Sequence, residues 1–437
     1  MKLRFIVASI LLISSGIAEA IQTINVTHGH FNPIPIAINN FAVDSSSEQT
    51  VAKNMLEVIT SDLKNCGLFR PISHAAFIEN KTGVEHTPLF AAWRQIDATV
   101  LVNGRIKKLG NGKIEVSFML WDIVANKDIA GEVFELSEKL WRRGAHKIAD
   151  KVYERVTGDA GYFETKVAYI SETGPKIKRI KRLAIMDYDG ANHSFLTDGK
   201  DLVLTPRFSP KADKILYLAY VNRKARVHLR DLRSGSDVVV GHFPGMSFAP
   251  RYSPDGTKAV LSLAKNGATN ILELDFSTMK VRPLTSGVAI STSPSYSPDG
   301  QKIVFNSDRN GTRQLYIMNA DGSNVERISF GSGSYAAPVW SPRGDYIAFT
   351  KQGAEGFSIG VMRIDGSGER IITNGYLVEG PTWAPNGRVI MFAREFRSMK
   401  NQPSKNRIYT IDLTGYNERE VPTPKDASDP EWSRRLD

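Results

Sequence analysis

The sequence predicts a two-domain protein in which an N-terminal α/β domain is followed by an all-β six-bladed propeller. The main observation is a short phrase (proline, any residue, aromatic residue, small residue) that occurs six times, at spacings of 44, 44, 44, 43 and 49 residues. A repeat period of about 40–45 residues is typical of four-stranded propeller blades. Helix-like and strand-like segments precede the repeats, whereas only strand-like segments follow. The phrases begin at Pro206, Pro250, Pro294, Pro338, Pro381 and Pro430.

The two ends of the repeat region indicate the number of blades. A strand-like run at 167–171 opens the region without a phrase before it, and the phrase at 430–433 has no strand after it. The last strand is therefore expected to be the inner strand of the blade that begins at Val167. This arrangement closes the ring and leaves no open sheet edge, which favours six blades over five or seven.

Each phrase leads into a tight turn. Ser253, Pro254 and Gly256 suit positions i, i+1 and i+3 of a type I β-turn. A strand-like run follows each of the first five phrases, and an acidic turn such as the one at Asp321 comes later in the unit. The aromatic residue just before the first turn is expected to fill the wedge between neighbouring blades.

Residues 1–20 have the features of an export signal. Lys2 and Arg4 give a positive start, residues 5–13 are apolar, and Ala18-Glu19-Ala20 supplies the small residues of a cleavage site. A membrane anchor is the alternative, but the apolar run is too short to cross a bilayer. We therefore expect an exported, soluble mature chain without a transmembrane segment.

The cysteine content and the net charge of the sequence narrow the possible classes of protein and of binding partner. Cys66 is the only cysteine, so an internal disulfide is excluded, and its position near the end of an amphipathic helix predicts a small buried apolar residue. The net charge of +10 would suit a nucleic-acid partner, but the basic residues are scattered except at 176–182. There they alternate around Ile177 and Ile180, as on an edge or outer strand that faces solvent. We expect acidic envelope partners and no nucleic acid.

The α/β domain is assigned to residues 21–158, the linker to 159–166 and the propeller to 167–437. Residues 21–38 are β-like, and Pro33 and Pro35 predict an edge or extended segment instead of a central strand. A helix with an apolar face of period 3.6 begins near Ser46 and ends at Gly67. Further elements are expected at 69–72 (strand), 88–95 (helix), 98–103 (buried strand), 104–108 with 113–122 (hairpin), 127–136 (strand) and 137–157 (helix).

The sequence offers little for catalysis, and we expect no catalytic residue, no metal and no cofactor. It has no Gly-x-Ser-x-Gly nucleophile motif and no glycine-rich phosphate loop. His28 and His30 are a close pair without a third metal ligand nearby. The run from Asp187 to Gly190 is like the start of a calcium loop, but the loop's twelfth position holds Asp198 in place of the usual glutamate. A turn capped by its own aspartates is the simpler interpretation, and a cation in the channel stays an open alternative.

In a propeller, the loops that lead into the inner strands surround one mouth of the central channel. Here they are rich in small residues, with bulky side chains among them. Exposed aromatic and methionine side chains amid small polar residues are typical of a protein-docking surface; the alternative is that these rings pack between the blades. The candidate partner-binding residues are Asp201, Leu202, His242, Met246, Phe248, Ile290, Thr292, Tyr335, Tyr376, Leu377 and Ser428.

The sequence combines an export signal, a small α/β domain, repeats of the form Pro-x-aromatic-Ser-Pro with Asp-Gly turns, and a final Pro-x-Trp-Ser. In this combination the chain resembles the TolB family, the periplasmic propellers of the Tol–Pal system. Residues 182–190 also look like this family. The resemblance extends over nearly the whole mature chain. Two departures are Lys211-Ala212 in place of Asp-Gly and the absence of the second proline from the sixth phrase.

The resemblance implies a non-enzymatic periplasmic adaptor that supports outer-membrane integrity and constriction at cell division. The propeller mouth would bind the lipoprotein Pal, with His242 and Thr292 as the leading positions. Other envelope lipoproteins are further possible partners, and the protein is expected to be monomeric alone. The rival interpretations are an exported propeller hydrolase or lyase acting on cell-wall or peptide substrates, and a sugar- or ion-binding propeller. By resemblance, the TolA-binding strand after signal cleavage is Ile21, Gln22, Thr23, Ile24, Asn25 and Val26.

Overall fold

The computed structural model describes residues 32–436 except 80, 82, 223, 241–242, 244–245 and 399–403. The expected export signal at 1–20, the expected TolA-binding strand at 21–26 and the histidines at 28 and 30 lie outside the described residues. None of the helices within the described ranges is both long enough and apolar enough to cross a bilayer.

The N-terminal region is one sheet with two long helices on one face. Its elements are β1 (Ile34–Ile38), β2 (Ala42–Val43), α1 (Ser46–Asn65), β3 (Phe69–Pro71), α2 (Phe90–Gln95), β4 (Val100–Gly110), β5 (Lys113–Asp122), β6 (Lys127–Ser137) and α3 (Trp141–Thr157). The strand order is β3-β1-β4-β5-β6, with β2 alongside β4. Helices α1 and α3 pack on each other and bury one face of the sheet, while Trp93 of α2 packs on the other face.

Helix α1 begins and ends where the sequence predicts. Glu48 accepts hydrogen bonds from the backbone N–H groups of Asp44 at 2.8 Å and Ser45 at 2.9 Å, which closes the first turn. Its other carboxylate oxygen accepts the N–H of Lys108 at 2.7 Å, so the helix start is held against β4. At the other end Gly67 has a φ of 78°, the left-handed conformation that favours glycine.

The position of β1 corrects the expectation drawn from its prolines, because β1 lies inside the sheet between β3 and β4. Its ladder with β4 begins at the pair Ile36–Val100, one residue after Pro35, so the missing N–H of that proline falls outside the ladder. The predicted division near residue 103 is also wrong, since β4 continues through Gly104. A Cβ at Gly104 would lie 2.6 Å from the Phe41 ring, which explains a glycine in mid-strand.

The propeller consists of six four-stranded sheets. The strands of each sheet are given from the inner to the outer one. The first sheet is β10 (Leu202–Phe208), β11 (Lys214–Val221), β12 (Lys224–Asp231) and β13 (Asp237–Val239), and the second is β14 (Met246–Tyr252), β15 (Lys258–Lys265), β16 (Ala268–Asp275) and β17 (Val281–Pro283). The third sheet is β18 (Ser291–Tyr296), β19 (Lys302–Ser307), β20 (Gln314–Asn319) and β21 (Glu326–Arg327), and the fourth is β22 (Ser334–Trp340), β23 (Tyr346–Gly353), β24 (Gly356–Arg363) and β25 (Arg370–Gly375). The fifth sheet is β26 (Leu377–Trp383), β27 (Val389–Glu395), β28 (Asn406–Asp412) and β29 (Arg419–Val421), and the closing sheet is β30 (Asp426–Trp432), β7 (Lys166–Thr173), β8 (Ile180–Asp187) and β9 (Ser194–Phe195).

The closing sheet confirms the predicted ring closure. The last strand, β30, is antiparallel to the first strand of the ring, β7, with Trp432 opposite Val167 and Asp426 opposite Glu172. The two ends of the propeller region therefore share one sheet. Six blades, the number predicted from the unmatched end strands, are confirmed.

The basic run at 176–182 is not an outer strand, which corrects the sequence interpretation. Its first residues form a 3₁₀ turn, Lys176–Lys178, and β8 is the third of four strands in its sheet. Arg179 and Lys181 form ion pairs with Glu172 of β7 at 3.2 and 2.8 Å. These cations are thus held on the sheet by a carboxylate that the sequence pattern did not single out.

The first proline of the repeated phrase marks a β-bulge in the inner strands. In all six sheets the ladder between the inner and second strands shifts register at this proline. In five of them the residue before the proline has a positive φ of 46° to 63°. Because proline has no N–H to donate, it suits the position where the ladder is interrupted. The residues with positive φ are Thr205, Ser293, Ala337, Gly380 and Asp429.

The aromatic residue of the phrase packs where two blades meet, as predicted. Trp383 lies in a buried cluster with Val339 of the preceding blade, and its Nε1 donates to the Val339 carbonyl at 3.0 Å. Phe208 packs in the same way against Ile170 of the closing sheet. Each such ring therefore joins two blades that no backbone ladder connects.

Residues 159–166, assigned as the linker, form a packed joint between the two regions. Tyr162 and Phe163 are buried. The carboxylate of Asp150 in α3 accepts the N–H groups of Phe163 at 2.7 Å and Glu164 at 3.0 Å. Trp432 of β30 donates its Nε1–H to Thr165 Oγ1 at 2.8 Å. The joint therefore belongs to one apolar core with the helices and the closing sheet.

Candidate partner-binding site

The two ends of the propeller channel differ in their surroundings. Every inner strand starts at one face of the ring, which we call the open face. It ends on the other face, the turn side, where four of the six strands lead into Ser-Pro turns. The linker and the N-terminal domain contact the turn side: Asn386 Nδ2 donates to the Ala160 carbonyl of the linker at 3.2 Å, and Asn417 Nδ2 donates to the Asn65 carbonyl of α1 at 2.8 Å. The open face is therefore the end of the channel away from the N-terminal domain.

Most of the predicted mouth residues belong to strands and not to loops, which corrects the sequence interpretation. The bulge at the proline lets each inner strand continue beyond it toward the open face. His242 and the side chains of Met246 and Phe248 lie outside the described residues, although the backbone of β14 pairs with β15. Three candidates stand just before strands: Asp201, Ile290 and Tyr376. The candidates within strands are Leu202, Met246, Phe248, Thr292, Tyr335, Leu377 and Ser428.

Three of the apolar candidates are exposed at the open face: Leu202 at 42%, Ile290 at 48% and Tyr376 at 48%. The guanidinium of Arg397 lies over the Tyr376 ring at 4.8 Å from its centre. Asp201 is also exposed, whereas Leu377 and Thr292 are half-buried. The hydroxyl of Thr292 accepts a hydrogen bond from Asn306 Nδ2 at 2.7 Å, which fixes its position.

Tyr335 and Ser428 are buried, so their side chains do not form part of the exposed surface. The Tyr335 hydroxyl donates to Glu369 at 2.8 Å, and the Ser428 hydroxyl donates to Glu172 Oε1 at 2.6 Å. Tyr335 stands three residues before its proline, and so does Val203, which is also buried. Leu202 and Ile290 stand four residues before theirs, on the opposite side of the pleat. For Tyr335 the alternative of packing between blades is therefore correct.

Four further exposed apolar side chains on the open face were not singled out from the sequence: Ile177 at 92%, Val288 at 91%, Phe330 at 72% and Phe396 at 41%. They stand on connections between second and third strands or between an outer strand and the next inner strand. An isolated apolar residue in a polar connection was the signal that could have found them. We call the following set the rim: Ile177, Leu202, Val288, Ile290, Phe330, Tyr376 and Phe396.

Charged groups lie inside the open mouth. Asp426 accepts hydrogen bonds from Arg407 Nη1 at 2.6 Å and is paired with Arg179 at 3.0 Å. Partial desolvation in the channel, and then the nearby charge of Asp429, raise the pKa of Glu379. The mouth therefore combines an apolar rim with a mixed-charge interior, a combination that suits binding of a polypeptide with both kinds of side chain.

A second polar cluster lies at the joint between the domains. His146, Asp187 and Asp189 place possible ligand atoms within 4.8 Å of one another. Arg142 is paired with both aspartates, at 3.4 Å from its Nε to Asp187, and Lys166 is also paired with Asp187. Two protein cations therefore balance the two carboxylates. Asp189 also accepts the N–H of Ala191 at 3.2 Å. These contacts agree with the simpler interpretation of a turn capped by its own aspartates.

Comparison with protein families gives two adjacent matches. The model for the TolB beta propeller domain matches residues 153–436, and the model for the TolB amino-terminal domain matches residues 22–129. Relatives named Tol-Pal system protein TolB are similar over nearly the whole chain. The protein of Rickettsia bellii is 60% identical over 443 residues, covering 99% of this chain and 100% of that protein. The protein of Rickettsia felis is 60% identical over 423 residues, covering 95% of each.

A solved structure gives the same result. The crystal structure of TolB from Acinetobacter baumannii matches with a TM-score of 0.81 and 25% sequence identity, covering 92% of this chain and 97% of that chain. The match includes both the α/β region and the propeller, so their mutual arrangement is similar in the two proteins. The chain therefore belongs to the TolB family of the Tol–Pal system.

Proposed function

We propose that this chain is a non-enzymatic periplasmic adaptor of the Tol–Pal envelope complex. Its open face binds the lipoprotein Pal and other envelope lipoproteins, its residues 21–26 bind TolA, and the free protein is monomeric. In this role it supports outer-membrane integrity and constriction at cell division. The observation that carries the proposal is the rim, a set of exposed apolar side chains at the channel end away from the N-terminal domain.

The rim has the physical properties of a docking surface. Apolar side chains grouped on one face of a monomer mark sites of protein interaction more often than scattered ones. Ile177 and Val288 are more than 90% exposed, so a partner that covers them would remove nearly all of their apolar area from water. Tyr376 is held by Arg397, so little side-chain entropy would be lost when it is buried.

A propeller hydrolase or lyase is the alternative from another class. Such an enzyme would need an acid–base pair at the mouth, and Glu379 with Asp429 is the nearest approach to one. The apolar rim around this pair favours a protein ligand over a sugar or a metal-bound substrate. The names of relatives at 60% identity point in the same direction.

Two exposed tyrosines on opposite faces provide a matched test of Pal binding. Tyr376 is 48% exposed on the open face, and Tyr416 is 63% exposed on the turn side. Tyr376→Ala should weaken Pal binding by about 2 kcal/mol, roughly thirtyfold in Kd, as for a buried aromatic anchor. Tyr416→Ala should leave the Kd unchanged. Calorimetric titration of purified Pal into the mature protein measures both, and equal Kd values for the two variants would contradict the proposal.

TolA binding is tested separately at the N-terminus. Deletion of residues 21–26 should abolish TolA binding and leave Pal binding at the open face intact. Both can be measured by pull-down with purified partners after circular dichroism has verified the fold. If the deletion removes both interactions from a folded protein, or neither of them, the assignment of separate binding surfaces is wrong.

A further inference from the structure

The second residue of the repeated phrase lines the channel at its turn side, the end opposite the rim. The six side chains surround a cavity of about 490 Å³ whose wall also includes the Ser-Pro turns and the C-terminal residues Arg434 and Arg435. Consecutive blades place these residues next to one another around the ring. In ring order they are Arg207, Arg251, Ser295, Val339, Thr382 and Glu431.

Charge is distributed unevenly around this ring. Glu431, Arg207 and Arg251 come from three neighbouring blades, so one carboxylate faces two guanidinium groups. The contacts are long, at 3.5 Å from Glu431 to Arg207 and 3.4 Å from Glu431 to Arg251. Both arginine side chains are largely buried, at 13% and 15% exposure. The six second residues therefore hold one positive charge more than their single carboxylate can neutralise, and Arg434 and Arg435 also line the cavity.

Two further observations indicate that the arginines are not fully satisfied. Arg207 Nε has no hydrogen-bond partner among the described residues, although it is buried. Burial, and then the charge of Arg207, lower the pKa of Arg251 to about 10. An additional negative group between the two guanidiniums would relieve their repulsion and provide the missing acceptor.

The uncharged half of the ring completes a site for such a group. Ser295 Oγ accepts the N–H of Trp340 at 3.3 Å. A hydroxyl that accepts can also donate, and within the part of the chain that the structure describes no acceptor is recorded for its O–H. Val339 contributes an apolar wall. Two guanidinium groups and a hydroxyl group facing one cavity are the donors that oxyanions prefer in proteins.

We propose that the turn-side end of the channel binds a small multivalent oxyanion, such as phosphate, between Arg207 and Arg251. The cavity of about 490 Å³ has room for such an ion. The site is at the far end of the channel from the rim and uses none of its residues, so it does not depend on the proposed Pal interaction.

The test is a calorimetric titration of the mature protein with inorganic phosphate, at an ionic strength kept constant with sodium chloride. The wild-type protein should bind phosphate saturably. Arg251→Gln should weaken this binding about tenfold or more, because a charge-assisted hydrogen bond is lost. The exposed turn residue Arg233 provides the control, and Arg233→Gln should bind phosphate like the wild type.

Glu431→Gln tests the proposal by the direction in which the affinity for phosphate changes. Removal of the competing carboxylate should tighten phosphate binding. A purely structural role of Glu431 would predict no change or weaker binding. This variant also decides the question if Arg251→Gln does not fold. The proposal is overturned if the wild type does not bind phosphate saturably, or if Glu431→Gln binds it no more tightly than the wild type.

Discussion

Tyr188 of the propeller donates a hydrogen bond of 2.5 Å to Asp62 of helix α1, across the boundary between the two domains. The second oxygen of the same carboxylate lies 2.7 Å from His146 Nδ1 in α3. All three side chains are buried. One carboxylate thus holds together two helices and the closing sheet, so its charge state affects the whole joint.

The first prediction concerns the pH dependence of stability. Burial alone would lower the pKa of His146, but the charge and hydrogen bond of Asp62 raise it, with Asp189 and Asp187 adding to the effect. A raised folded-state pKa means that the native protein binds this proton more tightly than the unfolded chain does. The stabilisation is therefore complete below the ordinary pKa of 6.5 and is lost as the pH rises through the folded value.

We expect the free energy of unfolding, measured by urea denaturation, to fall as the pH rises above 6.5. Asp62→Asn removes the main cause of the raised pKa and should abolish this decline. The exposed residue His74 is the control, and His74→Gln should leave the decline unchanged. A decline that persists in Asp62→Asn would assign the effect to other groups.

The second prediction concerns ring closure. Deletion of residues 426–437 removes β30, the inner strand of the closing sheet, and exposes the edge of β7. The truncated protein should unfold at a lower temperature than the intact one, as followed by circular dichroism, and should aggregate through the open edge. An unchanged Tm would contradict a closed ring.

The third prediction separates the two contributions of Trp432. This side chain is 5% exposed and packs against Tyr162 at 5.7 Å between ring centres. Trp432→Ala should cost about 3–5 kcal/mol, because it leaves a cavity in the joint. Trp432→Phe keeps a ring and should cost about 1–2 kcal/mol, mainly for the lost hydrogen bond to Thr165. Urea denaturation of both variants measures the difference, and similar costs would show that packing is not the larger contribution.

The fourth prediction tests the strain at the bulge. Gly380 has a φ of 63°, and a Cβ built there meets no atom within 4 Å, so Gly380→Ala changes only the backbone preference. It should destabilise the protein by about 1–2 kcal/mol, the cost of a left-handed conformation for a residue with a side chain. Gly353 has equally open space without a positive φ. Gly353→Ala should therefore cost nothing, and equal effects of the two substitutions on the urea midpoint would argue against strain.

The fifth prediction concerns the single cysteine. Cys66 is 6% exposed, and burial raises the pKa of its thiol to about 12. The reactive thiolate is therefore scarce in the native state. Ellman's reagent should not react with the native protein at neutral pH and should react fully in denaturant. Fast reaction under native conditions would show that α1 opens locally.

Much of the fold follows from residue patterns because its determinants are local. The number of blades depends on a repeat period and on two unmatched strands, and helix α1 depends on the Glu48 contacts and the glycine at 67. The central position of β1 could not be predicted in this way. It depends on where the β4 ladder begins relative to Pro35, which is a relationship between distant segments.

The site was less predictable, because the exposure of a side chain at the mouth depends on which side of the pleat its position in the inner strand places it. Residues three before the proline, such as Tyr335 and Val378, are buried, whereas residues four before it, such as Leu202 and Ile290, are exposed. This alternation is the pleat of a strand, and it can be applied to the sequence only when the strand is known to continue past the bulge. Ile177 was missed for another reason. The candidates were sought in the loops that lead from an outer strand into the next inner strand, whereas Ile177 lies between a second and a third strand.

The sharing of one sheet between β7 and β30 also has a consequence for the timing of biosynthesis. Because β30 follows all the other described propeller strands in the chain, β7 lacks its inner partner until those strands have been synthesised. The ring therefore cannot close before all six blades have emerged from the ribosome. Until then the closing sheet lacks its inner strand, so closure is a late event in the folding of the propeller.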